Sequence, residues 1–176
     1  MSPRAPRLTL GELVDLTDVL WVRVNDAWSG MGGHTLTAFD LHRGPEGALT
    51  GTARHFEDAT FQREAAIALP PAATAELLGF LAAAPLVKRR YHAHIDHTDD
   101  APHVEMVLDL GPEASPGGFV TLFSRSQGPY LAPWGAYLRE TLYASPGEPI
   151  GRALTLLRKA FDPGFEPWGF DLGPAP

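Results

Sequence analysis

From residue 19 to residue 69 the apolar positions recur every second residue, the period of strands with one buried face. Leu20, Val22 and Val24 alternate with Trp21, Arg23 and Asn25 in the first such run. Three more strands are expected near Thr35 to His42, Leu49 to Phe56 and Gln62 to Leu69, the last with Ala65, Ile67 and Leu69 inward. Trp28-Ser29-Gly30-Met31-Gly32-Gly33 reads as a hairpin loop, and Arg43-Gly44-Pro45-Glu46-Gly47 as a turn. The beat then changes to a helical one. Pro71 suits a first helical turn, and Thr74, Leu77, Leu78 and Leu81 mark one face with Phe80 flanking, until Ala84-Pro85 stops the helix. Ahead of all this, Thr9-Leu10-Gly11-Glu12 has the spacing of a capping box, with Leu10, Leu13 and Val14 on one side.

The second half follows the same order. Tyr91 to Asp96, His103 to Leu110 and Phe119 to Arg125 have strand character. Trp134 to Leu138 and Thr141 to Ala144 suggest a last hairpin. Pro149 opens a helix with the stripe Ile150, Ala153, Leu154, Leu157 and Phe161, ended by Asp162-Pro163-Gly164. Several strands closed by one helix thus occur twice, over 19–84 and 91–161, consistent with an internal duplication. Runs of strands followed by helices predict an α+β fold, mainly antiparallel, with the helices on one face of the sheet. The tail, 163–176, carries Trp168 in Pro-Trp-Gly-Phe-Asp-Leu, which echoes Trp134 in Pro-Trp-Gly-Ala-Tyr-Leu. Trp134 and Trp168 are therefore candidate binding residues, the tail docking on the body through Trp168.

Composition narrows the class. The 176 residues suit one domain, and 44% apolar with 20% charged residues is ordinary for a soluble globular chain. A formal net charge of −7 argues against a nucleic-acid partner, because phosphate binding needs clustered Lys and Arg. The one basic cluster, Lys88-Arg89-Arg90, reads as a solvated strand end. No cysteine is present, so thiolate and disulfide chemistry are excluded. No run reaches the ~18 apolar residues that suggest a membrane helix, and no secretory h-region opens the chain, so a cytoplasmic location is expected. Arg outnumbers Lys twelve to two, in the manner of a GC-rich bacterial genome. The glycines at 30–33 fit neither phosphate-binding motif, and Ser124-Arg125-Ser126-Gln127-Gly128 is not a nucleophile elbow.

The densest chemistry lies in Tyr91 to Leu110, which holds four of the seven histidines and many carboxylates. Alternation puts His92, His94 and Asp96 on one face of its first strand. In the return strand His103, Glu105 and Asp109 oppose the apolar set Val104, Met106, Leu108 and Leu110. A register with Asp96 opposite His103 also sets His94 opposite Glu105, either as polar cross-strand pairs on a wet face or as ligands converging on a divalent metal such as zinc. His92-Ala93-His94-Ile95-Asp96-His97 fits H-x-H-x-D-H and so resembles, over six residues, the first metal motif of the metallo-β-lactamase superfamily. That resemblance implies a zinc-dependent hydrolase with His92, His94, Asp96 and His97 as ligands. The family's later histidine ligands have no counterpart here beyond His103, and the motif leads into a strand rather than a helix.

No complete catalytic constellation emerges. The expected function is therefore that of a non-catalytic interaction module without a cofactor, binding a protein partner or a second copy of itself. The alternative is a metal-dependent hydrolase using His92, His94, Asp96, His97, His103 and Glu105.

Overall fold

A computed structural model describes residues 8–30, 32–87, 101–111, 119–123, 130–131, 136–138 and 147–166. In chain order the elements are β1 (Leu8–Thr9), α1 (Leu10–Leu13), β2 (Trp21–Gly30), β3 (Gly33–Arg43), β4 (Leu49–Glu57), β5 (Thr60–Leu69), α2 (Pro71–Ala82), β6 (Pro85–Val87), β7 (Ala101–Asp109), β8 (Phe119–Phe123), β9 (Tyr130–Leu131), β10 (Ala136–Leu138) and α3 (Pro149–Phe161). The fold is α+β, and every strand pair is antiparallel. A six-stranded sheet has the order β5-β4-β3-β2-β7-β8, and a four-stranded one the order β1-β6-β10-β9.

The period-two runs became strands because alternate residues have somewhere dry to go. Val22 and Val24 of β2, Phe39 and Leu41 of β3, and Met106 and Leu108 of β7 are all fully buried. They form one core with Leu77 and Leu81 of α2 and Ile150, Leu154 and Leu157 of α3. The helical face expected over Thr74, Leu77, Leu78 and Leu81 is the buried face of α2, and the Ile150–Leu157 stripe is that of α3. Both helices start on a proline, which gives up no hydrogen bond in a first turn. The Thr9–Glu12 box also forms, with the Thr9 N–H donating to Glu12 Oε2 at 2.6 Å.

Two expectations need correction. Leu20 does not join Val22 and Val24 inside. It precedes β2 and lies at the sheet end, where its N–H and C=O bond to Asp109 and Arg43 backbone, while its side chain is 51% exposed. The break expected at Trp28 comes later: β2 continues to Gly30, which pairs with Gly33 across a two-residue turn. The hairpin expected over 134–138 and 141–144 is described only at β10. The two edges of β10 are occupied by β9 and β6, so it lies inside the smaller sheet. Residues 141–144, like the strand expected over 91–96, lie outside the described residues.

Two tight spots shape the larger sheet. The β4–β5 turn puts Asp58 and Ala59 at φ of 47° and 64°, the paired left-handed conformation of a type I′ hairpin. Gly51 of β4 lies so near the Asp40 carbonyl that a Cβ there would collide with backbone, so only glycine fits this register.

Candidate functional site

The core uses one face of the six-stranded sheet, and the pairing registers define the other. Directly opposed residues share a face, so the outer face can be read row by row across the strands. One row crosses Phe61, Phe56, Leu36 and Ala27 from β5 to β2. The next runs Glu64, Arg54, Ala38, Asn25 and Glu105, from β5 to β7. A third runs Ala66, Thr52, Asp40, Arg23 and Val107, and a fourth Ala68, Thr50, His42, Trp21 and Asp109.

The polar chemistry of this face concentrates around Asp40. Its Oδ1 accepts a hydrogen bond from Trp21 Nε1 at 2.5 Å and lies 3.3 Å from His42 Nε2, while Oδ2 is 3.4 Å from Arg23 Nη2. Arg23 also stacks on the Trp21 ring, with Cζ 4.7 Å from its centroid. Partial desolvation would raise the Asp40 carboxyl. The Trp21 and Arg23 hydrogen bonds, with the Arg23 and His42 charges, outweigh it and hold the group below its ordinary value. Arg54 and Glu64 form a second pair on the same face, and Glu64 keeps the guanidinium more strongly protonated than usual. Phe56 and Phe61 meet edge to face, 5.9 Å between centroids.

Of the residues singled out in the sequence, Glu105 is the best placed. The expected alternation holds in β7: Val104, Met106 and Leu108 are buried, while Glu105 and Asp109 are half-buried on the outer side. Its neighbours are not those expected. Glu105 has Asn25 of β2 on one side and Phe123 of β8 on the other, and Asn25 Nδ2 donates to it at 3.5 Å. Both ladder positions beside Glu105 are thus taken by β2 and β8. His103 sits in β7 opposite Ala27. His92, His94, Asp96, His97, Trp134 and Trp168 lie outside the described residues. Among the described residues no group of His, Asp and Glu is arranged to hold a metal ion.

Two other places hold clustered polar groups. Beneath the end of α3, His55 Nδ1 bonds Thr37 Oγ1 at 2.9 Å, its ring lies 6.2 Å from that of Phe161, and Arg63 Cζ lies over the Phe161 ring, 4.0 Å from its centroid. Between α1 and α2 runs an open groove of about 590 Å³ lined by Leu13, Asp15, Arg43, Leu78 and Gly79 among others. Its two carboxylates, Glu12 and Asp15, are already bonded within the chain. Asp15 accepts from the Thr17 hydroxyl at 2.6 Å and the Thr17 N–H at 2.9 Å, and both bonds lower its pKa.

The outer-face residues escaped the sequence reading because each is an ordinary polar position in its own strand. Trp21, Arg23, Asp40 and His42 become a cluster only through the β2–β3 register. Compared with protein-family models, with curated proteins and with solved structures, the chain finds no match in any of the three. No helix among the described residues is long and apolar enough to cross a membrane.

Proposed function

We propose that the chain is a non-catalytic protein-binding module that engages its partner through the outer face of the six-stranded sheet. The observation that carries this reading is the openness of that face at its most interactive side chains. Arg23, His42 and Arg54 are 51%, 70% and 58% exposed, and Phe61 is 55% exposed. Tryptophan and arginine are the side chains that most often anchor protein interfaces, and here they lie beside aromatic and small apolar neighbours. The polar groups among them are paired with one another, as befits a recognition surface rather than a set of reactive groups poised on a substrate.

The test compares the wild type with an Arg23→Glu/Arg54→Glu double variant in pull-downs from the source cell and in light scattering. A partner, or a second copy, held by the wild type and lost by a variant of equal melting temperature supports the reading. Equal capture by both, or a wild type that is a lone monomer with no partner, removes it. Element analysis of protein purified without a His tag is the companion measurement. One zinc, manganese or iron per chain would replace the binding module with the metal-dependent hydrolase.

A further inference from the structure

We propose that the occupant of this face is a second copy of the same chain, packed face to face about a two-fold axis parallel to the strands, between β2 and β3. The inference rests on the reading above and goes further by naming the partner and its orientation. A two-fold contact needs a surface complementary to itself, because each patch meets its own image. The strand order tests this directly. Such an axis keeps every row in place and exchanges the strands, so that β3 faces β2 of the copy, β4 faces β7, and β5 faces β8.

The charges then fall into register. Asp40 faces Arg23 of the copy, and Arg23 faces its Asp40. Arg54 faces Glu105 of the copy, and Glu105 faces its Arg54. No like charges meet among these rows. Sizes match as well: Ala38 faces Asn25, and Leu36 faces Ala27. A two-fold axis at right angles to the strands, between the same rows, does not do this. It sets Arg54 over Thr52, Asp40 over Ala38 and Glu105 over Val107, leaving every charge opposite a neutral residue. Complementarity of this kind selects orientation and suppresses wrong partners.

The extent of the face also suits a stable dimer. Four rows across six strands span roughly 800 Å², the usual contribution of one partner to a specific interface. Sheet twist rotates aligned faces by about 30°, so the pairings hold best near the axis, where β2, β3, β4 and β7 lie. Glu105 is the residue with most to gain. Among the described residues it meets the neutral amide of Asn25, and the copy brings it a guanidinium.

Sedimentation of the full chain tests the proposal. The wild type is expected at twice the 19.0 kDa of one chain. Arg54→Glu and Glu105→Arg should each weaken the dimer by at least about thirtyfold, since each reversal puts like charges together twice. The double variant should recover to within about fivefold of the wild type, because opposite charges meet again in reversed order. A monomeric wild type, or a double variant no better than the singles, overturns the proposal. A photo-cross-linking side chain at the exposed Thr50, in otherwise unaltered protein in the source cell, separates this inference from the reading beneath it. An adduct of two chains supports both. An adduct with a different polypeptide overturns the second copy and keeps the binding face, and no adduct overturns both.

Discussion

Arg158, near the end of α3, forks onto Asp26 in β2: Nε donates to Oδ2 at 2.6 Å and Nη2 to Oδ1 at 2.7 Å. Asp26 lies on the core face of its strand, in line with Val22 and Val24, and its side chain is only 11% exposed. The pair therefore ties the last helix to the sheet where the apolar contact between them runs out. A bidentate arginine is suited to this, because its planar fork matches both carboxylate oxygens.

Removing one partner should cost much more than removing both. Arg158→Leu strands a largely buried carboxylate and is expected to destabilise the chain by about 2–4 kcal/mol. Asp26→Leu combined with Arg158→Leu should recover most of that loss. Urea unfolding of the two variants and the wild type measures both; equal losses would mean that Asp26 keeps its hydration without Arg158.

Thr74 is the buried polar group of α2, and it stitches three elements together. Its hydroxyl donates to the Leu69 carbonyl at 3.0 Å and accepts from the Leu49 N–H at 3.1 Å. Thr74→Val keeps the volume but leaves both backbone groups unpaired in a dry place, so a loss of about 1–3 kcal/mol is expected. Thr74→Ser should retain more than half of the stability that Val loses, read from the same unfolding curves.

The β4–β5 turn offers a gain. Ala59 holds a φ of 64°, a conformation that glycine adopts without a Cβ penalty. Ala59→Gly creates the Asp-Gly turn favoured in type I′ hairpins and should stabilise the chain by about 0.5–1 kcal/mol, despite the added freedom of the unfolded state. Asp58→Ala should do the reverse, since Asp58 Oδ1 accepts the His34 N–H at 2.8 Å. Melting temperatures of the two variants should move in opposite directions.

Asp40 sets the acid limb of the outer face. Its pKa in the folded chain is lowered, so its contribution is present at neutral pH and is lost as pH falls from about 4 through the lowered value. Asp40→Asn should therefore lower stability at pH 7 by about 0.5 kcal/mol, a small figure because the group is partly exposed. The difference from wild type should shrink steadily as pH falls below about 4, as the native carboxyl takes up its proton. A constant difference across that range would show that the hydrogen bonds, not the charge, stabilise the face.

Most of the elements are visible in local pattern. The strands of the first half and both long helices lie within a few residues of where alternation, Pro71, Pro149 and the turn residues put them. The outward side of β7 is visible too, since Glu105 and Asp109 alternate with Val104, Met106 and Leu108. What alternation does not carry is the identity of the neighbour. Glu105 lies next to Asn25, eighty positions earlier, and Trp21 next to Asp109, because β7 enters the sheet beside β2. A hairpin partner was expected because short connections are entropically favoured.

The sequence by itself determined which side of β2, β5, β7 and the two long helices is greasy, since that depends on spacing along one chain and on the hydrophobic effect acting on each segment alone. The tertiary structure decided which strands became neighbours, and with it the grouping of Trp21, Arg23, Asp40 and His42 and the fork of Arg158 on Asp26. Those choices belong to long-range pairing, where many registers bury the same apolar side chains. The winning register is set by the packing of the whole core, together with close backbone contacts such as Gly51 against Asp40.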